Sequence, residues 1–198
     1  MPDVLTIDPA RSALLSMDYE PAILASYASE SEALLERAGA VLRAARASGM
    51  LVIHVVVGFR PGYPEISARN SAFSSIKQSG RFTTEDPEAS EPSIKPEPGD
   101  VVVTKHRVGA FTGTDLDMIL RANDIETLVM FGVSTSGVVL STLRHAADAD
   151  YRCVVVRDCC ADRDADVHAC LLDKVFPRQA TVVGSGEVAA ALQASAPR

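Results

Sequence analysis

Thr127-Leu128-Val129-Met130-Phe131 runs into Gly132-Val133-Ser134-Thr135-Ser136-Gly137, and a helix is predicted from there over 136–149. An unbroken apolar run of strand length, broken by a turn rich in glycine and hydroxyls and followed by helix, is the repeating unit of a parallel sheet covered on both faces. The same alternation recurs along the chain. Further strands are predicted at 12–17, 51–57, 100–103, 153–156 and 180–183, and helices at 30–48, 114–122, 165–175 and 187–193. The stretch 30–48 shows the helical period most plainly, with Leu34, Leu35, Ala38, Val41, Leu42 and Ala45 on one face and Gly49 as its stop. Six strands with intervening helices predict an α/β fold: a three-layer αβα Rossmann-like sandwich with a six-stranded, mostly parallel sheet.

The 198 residues suffice for one domain with a real core, and 47% hydrophobic with 23% charged residues is ordinary for a globular protein. A net charge of -7, with no basic cluster, argues against a nucleic-acid partner. The longest apolar runs, such as Val55-Val56-Val57, are far too short to cross a bilayer, so no membrane partner is expected. Met1-Pro2-Asp3-Val4 carries no basic and apolar succession of a secretory signal. Cys153, Cys159, Cys160 and Cys170 crowd one C-terminal stretch and do not frame a disulfide scaffold, so a reducing cytoplasm is the expected setting. The segment 59–98 is long, rich in Pro, Ser and charge, and without a period. Such a connection is a pocket-lining loop, with Gly58-Phe59-Arg60-Pro61-Gly62-Tyr63 as the lining part, or an oligomer arm.

In open α/β sheets ligands bind beyond the carboxyl ends of the strands, near the switch in strand order. Three polar features fall there: Asp18 after the first strand, Lys105 after the third, and the 132–137 turn after the fourth. Singly, each has an ordinary structural reading as a turn residue, a solvated charge or capping chemistry. The N–H groups of that helix start could also receive an anion or a developing oxyanion. His54, inside an apolar strand, reads as a core residue, and His106 as facing either pocket or solvent.

The segments Leu14-Leu15-Ser16-Met17-Asp18, Lys105-His106-Arg107-Val108-Gly109-Ala110-Phe111 and Gly132-Val133-Ser134-Thr135 together resemble the isochorismatase-like hydrolase superfamily over nearly the whole chain. The resemblance implies a small-molecule substrate, an Asp–Lys–Cys constellation with Asp18 and Lys105 in the first two roles, and a cis peptide at Val133–Ser134. It also implies a homo-oligomer, dimer or tetramer. The family cysteine falls at Val138, or at Gly137 one residue earlier, and neither can act as a nucleophile. That departure leaves the cysteine-independent route of isochorismatases proper, in which an Asp–Lys pair and water act on a vinyl ether; Ser134-Thr135-Ser136 departs from their turn as well. Cys159 and Cys160, after the fifth strand, are the remaining thiols that could stand in.

Arg107 is a candidate clamp for a substrate carboxylate, or else a structural ion pair, and Phe59 and Phe111 are candidate pocket walls. Ser134 and Gly137 complete the predicted substrate-binding set. The metal-bearing members carry Asp and His where this chain has 58–63, so no metal is expected, and no G-x-G-x-x-G follows the first strand, so no dinucleotide cofactor is expected either. Two functions follow: a hydrolase working through Asp18 and Lys105 without a cysteine, or a catalytically silent member that binds a metabolite or a protein partner.

Overall fold

In the computed structural model, which describes residues 5–85 and 91–195, β1 (Ser12–Met17) and β4 (Thr127–Gly132) lie side by side at the centre of the sheet. Both are buried along their whole length, which is why their sequences are mostly apolar and do not alternate. With β2 (Leu51–Val57), β3 (Val101–Lys105), β5 (Arg152–Val156) and β6 (Ala180–Val183) they form one sheet in the order β3-β2-β1-β4-β5-β6. Every pairing is parallel. β3 is an edge strand and alternates, leaving Val102 and Thr104 exposed.

The chain winds outward in one direction from β1 and in the other from β4. A crevice therefore opens beyond the carboxyl ends of those two strands. Residues 1–4 of the N-terminal reading, and 86–90 of the long connection, lie outside the described residues.

Among the described residues seven α-helices clothe the sheet: α1 (Pro21–Tyr27), α2 (Ser31–Ala47), α3 (Ser71–Ser79), α4 (Leu116–Ala122), α5 (Leu140–Asp148), α6 (Ala165–Cys170) and α7 (Ser185–Ser195). α2 buries Leu34, Ala38, Val41, Leu42 and Ala45 against the core and ends where Gly49 turns at φ 77°. Asp100 ties α2 to the sheet, receiving Arg46 at 2.6 Å and His54 Nε2 at 3.2 Å. His54 is a core residue as expected, although its buried Nδ1 has no partner among the described residues.

Three features depart from the sequence reading. The 59–98 connection is not without regular structure, because α3 sits inside it, begun by Asn70, whose Oδ1 accepts the Phe73 N–H at 3.3 Å, and closed by Gly80 at φ 68°. α1 begins with Pro21 at its first position, where a missing N–H costs nothing. The helices expected over 136–149 and 165–175 each contain a wider turn, Thr135–Val139 and Leu171–Val175; in the first, the Val139 N–H reaches back to Ser134 O. A second small core of Val57, Phe59, Tyr63, Ile66, Phe73 and Phe82 holds the connection down.

Gly132, the last residue of β4, has no room for a side chain: a Cβ there would lie 2.6 Å from Met17 O. Backbone at the centre of a sheet cannot yield cheaply. Gly132→Ala is expected to destabilise the protein by about 1–3 kcal/mol, read as a lower urea midpoint with an unchanged slope.

Candidate active site

The extended backbone of β1 ends at Asp18, which adopts φ 59°, a left-handed conformation that Asp tolerates better than most residues. Its N–H still donates to Val55 O at 2.9 Å, so the turn is anchored to β2 while the side chain leaves the sheet. Lys105 closes β3, and its ammonium lies 2.9 Å from Asp18 Oδ2 and donates to Arg107 O at 3.0 Å. Both side chains are buried, with Asp18 only 5% and Lys105 2% exposed. Burial pushes the Asp18 carboxyl up to about 6 even though Lys105 pulls it the other way. Asp18 Oδ1 is buried without a partner among the described residues.

The pair lies in the wall of a cavity of about 530 Å³ that also takes in Ser134, Gly137 and Val138 from the turn after β4. The Val133–Ser134 peptide is cis, as the resemblance implies. A Cβ at Gly137 would come within 2.7 Å of Ser134 Oγ, which would have to turn aside. Three amides of this turn are already engaged: Thr135 N–H on Ala161 O at 2.9 Å, Ser136 N–H on Asp162 Oδ2 at 2.7 Å, and Gly137 N–H on Ser134 O at 3.2 Å. The helix start expected to receive an anion there is thus satisfied by the protein itself at these three positions.

Three predicted site residues lie outside the cavity lining. Phe59 is fully buried in the small second core, against Tyr63 and Phe73. Phe111 stacks on His145 with ring centroids 4.3 Å apart. The Arg107 guanidinium is held by two backbone carbonyls, His106 O at 2.6 Å and Glu65 O at 3.0 Å, and does not reach the cavity. His106 pairs through Nδ1 with Gly58 O and leans on Phe59. The part of the long connection that lines the cavity is not its start at 58–63 but α3 with Arg81 and Phe82.

The thiols that follow β5 are poorly placed for nucleophilic work. Burial holds the Cys159 thiol far above its ordinary range and pushes Cys160 up to about 12, where the S–H points to Val156 O. Neither lines this cavity. A wider depression at the amino-terminal ends of β4 and β5, about 630 Å³ and bordered by Arg121, Glu126 and Arg152, has only exposed charged groups.

Sequence reasoning missed Glu20, Arg81, Arg163 and the two helices that wall the cavity. Pro21 and the Asn70…Gly80 pair were the available signals for the helices. Arg163 had none: it reaches the cavity by folding back onto α1, its Nε donating to Ser26 O at 3.3 Å and its guanidinium 4.9 Å from the Tyr27 ring centroid.

Comparison with known proteins identifies the family of the chain. The Isochorismatase domain matches residues 12–187. The isochorismatase family protein YecD of Escherichia coli O157:H7 is 31% identical over 192 residues, covering 96% of this chain and 100% of that one. Maleamate amidohydrolase of Pseudomonas putida is 30% identical over 160 residues, covering 79% and 73%. The crystal structure of N-carbamoylsarcosine amidase from Thermoplasma acidophilum superposes with a TM-score of 0.71 at 31% identity, covering 88% of this chain and 96% of that one. With its family domain spanning nearly the whole sheet and helices, this chain belongs to the isochorismatase family and is a relative of its hydrolases.

Proposed function

We propose that the protein hydrolyses a small carboxylate-bearing molecule, with Asp18 as the proton-transfer group, Lys105 as its electrostatic partner and water as the nucleophile. The observation that carries this reading is the buried 2.9 Å Asp18–Lys105 pair opening onto a ligand-sized cavity. Above about pH 6 Asp18 is a carboxylate. It takes a proton from a water whose oxygen bonds to the electrophilic carbon, then returns that proton to the leaving nitrogen or oxygen as the old bond breaks. The fixed charge of Lys105 lies where negative charge builds up in that step.

A cysteine-free route is supported by Val138, a buried hydrocarbon lining the cavity at the position matched to the family nucleophile, and by the absence of all four cysteines from that lining. An anionic substrate is supported by charge. In a chain of net charge -7, the cavity presents Arg81, Arg163 and Lys105 against one acid, and Lys105 is already matched by Asp18. Arg163 is fixed through Nε and the Tyr27 ring, which leaves its terminal nitrogens for a bidentate partner. The relatives named for maleamate and N-carbamoylsarcosine act on small molecules of this kind. A homo-oligomer, dimer or tetramer, in a reducing cytoplasm belongs to the same reading, and four unpaired cysteines suit it.

A panel of maleamate, N-carbamoylsarcosine and carboxylate-bearing vinyl ethers tests the proposal. Asp18→Ala should cut turnover of whichever is a substrate by roughly 10²-fold or more with circular dichroism unchanged, whereas C159S and C160S should keep it. Arg163→Gln should raise KM by about tenfold and spare kcat. Full activity in Asp18→Ala sinks the mechanism, and a ligand recovered unchanged after long incubation would favour a binding protein.

The pH profile gives an independent check. Asp18 must be ionised to accept the proton, so kcat/KM should rise through about pH 6 to a plateau. A profile that falls through the same pH would mean that the protonated acid is the working form. The assembly is checked by light scattering, where a monomeric mass would remove the oligomer.

A further inference from the structure

Glu20 follows Asp18 by two residues and is wholly buried. Its position is explained by the sheet. In a parallel ladder the Asp18 N–H to Val55 O bond would be answered by the Val57 N–H returning to the carbonyl of residue 18. The chain leaves the extended conformation at Asp18, and the Val57 N–H is taken at 2.5 Å by Glu20 Oε1 instead. A side-chain carboxyl thus completes the rung that frees Asp18 to face the cavity. Glu20 Oε2 is buried and has no partner among the described residues, as is true of Asp18 Oδ1.

Charge counting then decides the state of the two acids. Two buried carboxyl groups share one buried cation, Lys105, and its ammonium is bound to Asp18 and to a backbone carbonyl. A second carboxylate here would be an ion with one orphan oxygen and no counter-ion of its own, the costliest kind of group to bury. A neutral acid in that place still accepts the Val57 N–H and removes the excess charge.

We propose that Glu20 is a second carboxyl of this site, a positioning residue that stays protonated behind Asp18 and whose ionisation alters Asp18's hold on its own proton. Burial first, and then the Asp18 charge, push the Glu20 carboxyl up to about 8, against the Val57 N–H, its own N–H and the more distant Lys105. Among the described residues, Asp18 beyond β1 and Lys105 of β3 are the charged groups that act on it, while β2 contributes the Val57 amide. Below about pH 8 the site therefore holds a balanced Asp18–Lys105 pair. Above it both acids are ionised, and the site carries one negative charge in excess of Lys105. The consequence for turnover rests on the reading of Asp18 as the proton-transfer group; the protonation of Glu20 does not.

Infrared difference spectroscopy of the substrate-free protein tests the proton directly. At pH 7 wild type should show a carboxylic-acid C=O band that Glu20→Gln lacks, and the band should fade near pH 8. A band unchanged in Glu20→Gln overturns the inference whatever the kinetics show. Labelling wild type with ¹³C-glutamate, which shifts the band only if a Glu carries it, serves should Glu20→Gln fail to fold.

Stability supplies a second reading. The acid's affinity for its proton is raised on folding, so its contribution is present at low pH and lost as pH rises from about 4.5 to about 8. Over that window the unfolding constant of wild type should grow relative to Glu20→Gln by up to about tenfold per pH unit, and equal slopes would overturn the proposal. In turnover, the excess negative charge beside Asp18 opposes an anionic substrate, so wild type should lose kcat/KM above about pH 8 while Glu20→Gln keeps its plateau. This last limb fails together with the Asp18 mechanism if Asp18→Ala is active, whereas the band and the stability slope do not.

Discussion

Opposite charges held 2.9 Å apart in the interior are poor value as a stabilising device, and this one shapes everything around it. Removing a carboxylate and an ammonium from water costs several kcal/mol each, while at an effective dielectric near 20 their attraction returns only about 4 kcal/mol at 4 Å. The sheet must hold the pair together. β1 and β3 are not neighbours, since β2 runs between them, and two strand spacings put their backbones roughly 10 Å apart. The long Lys105 side chain, registered beside Val57, crosses the end of β2 to meet a short Asp18 that has turned off β1. The unusual φ at Asp18 and the side-chain rung from Glu20 both serve that crossing.

How much of this could be read from the amino acids follows from what determines each part. The central strands were legible because parallel strands are buried on both faces, and burial writes itself as runs of Leu, Val and Ile, as at Leu51–Val57, where His54 alone breaks the run. Asp18 and Lys105 were legible because strand ends fix where the next polar residue emerges. The cavity walls were not. α3 depends on Phe73 packing with Phe59 and Phe82, a contact created only when the long connection folds back. Arg107 is two residues from Lys105, yet it turns to Glu65 O and His106 O, because loop geometry decides which residue faces the site and sequence spacing does not. Arg163 enters the cavity from the opposite direction, along α1.

The turn after β4 redistributes the electrostatic work. A helix start with free amides could have received an anion unaided. Here Ala161 O, Asp162 and Ser134 O occupy the first three amides, and Asp162 places a carboxylate where a substrate anion would otherwise settle. Positive charge for a ligand then has to come from side chains, and the cavity supplies it from Lys105, Arg81 and Arg163. Charge on flexible stems is less pre-organised than backbone dipoles, which makes the pinning of Arg163 by Ser26 O and Tyr27 the feature that restores direction.

On the proposed mechanism the hydrocarbon at Val138 has a second effect besides removing a sulfur nucleophile. A thiolate beside Asp18 would be an additional anion and would have to be balanced by the same lysine. A valine adds no charge and withholds solvent, so the lysine serves the carboxylate alone and desolvation acts on Asp18 unopposed by polar neighbours on that side. Those two influences pull in opposite directions, and their near balance brings the acid into the range where gaining and losing a proton are comparably easy. Water, unlike a thiolate, needs such a group at every turnover, since it must be deprotonated as it attacks. A site that exchanges sulfur for hydrocarbon therefore places more of the chemistry on the carboxyl. The neighbouring acid at Glu20, by remaining neutral, keeps that carboxyl's charge from being duplicated.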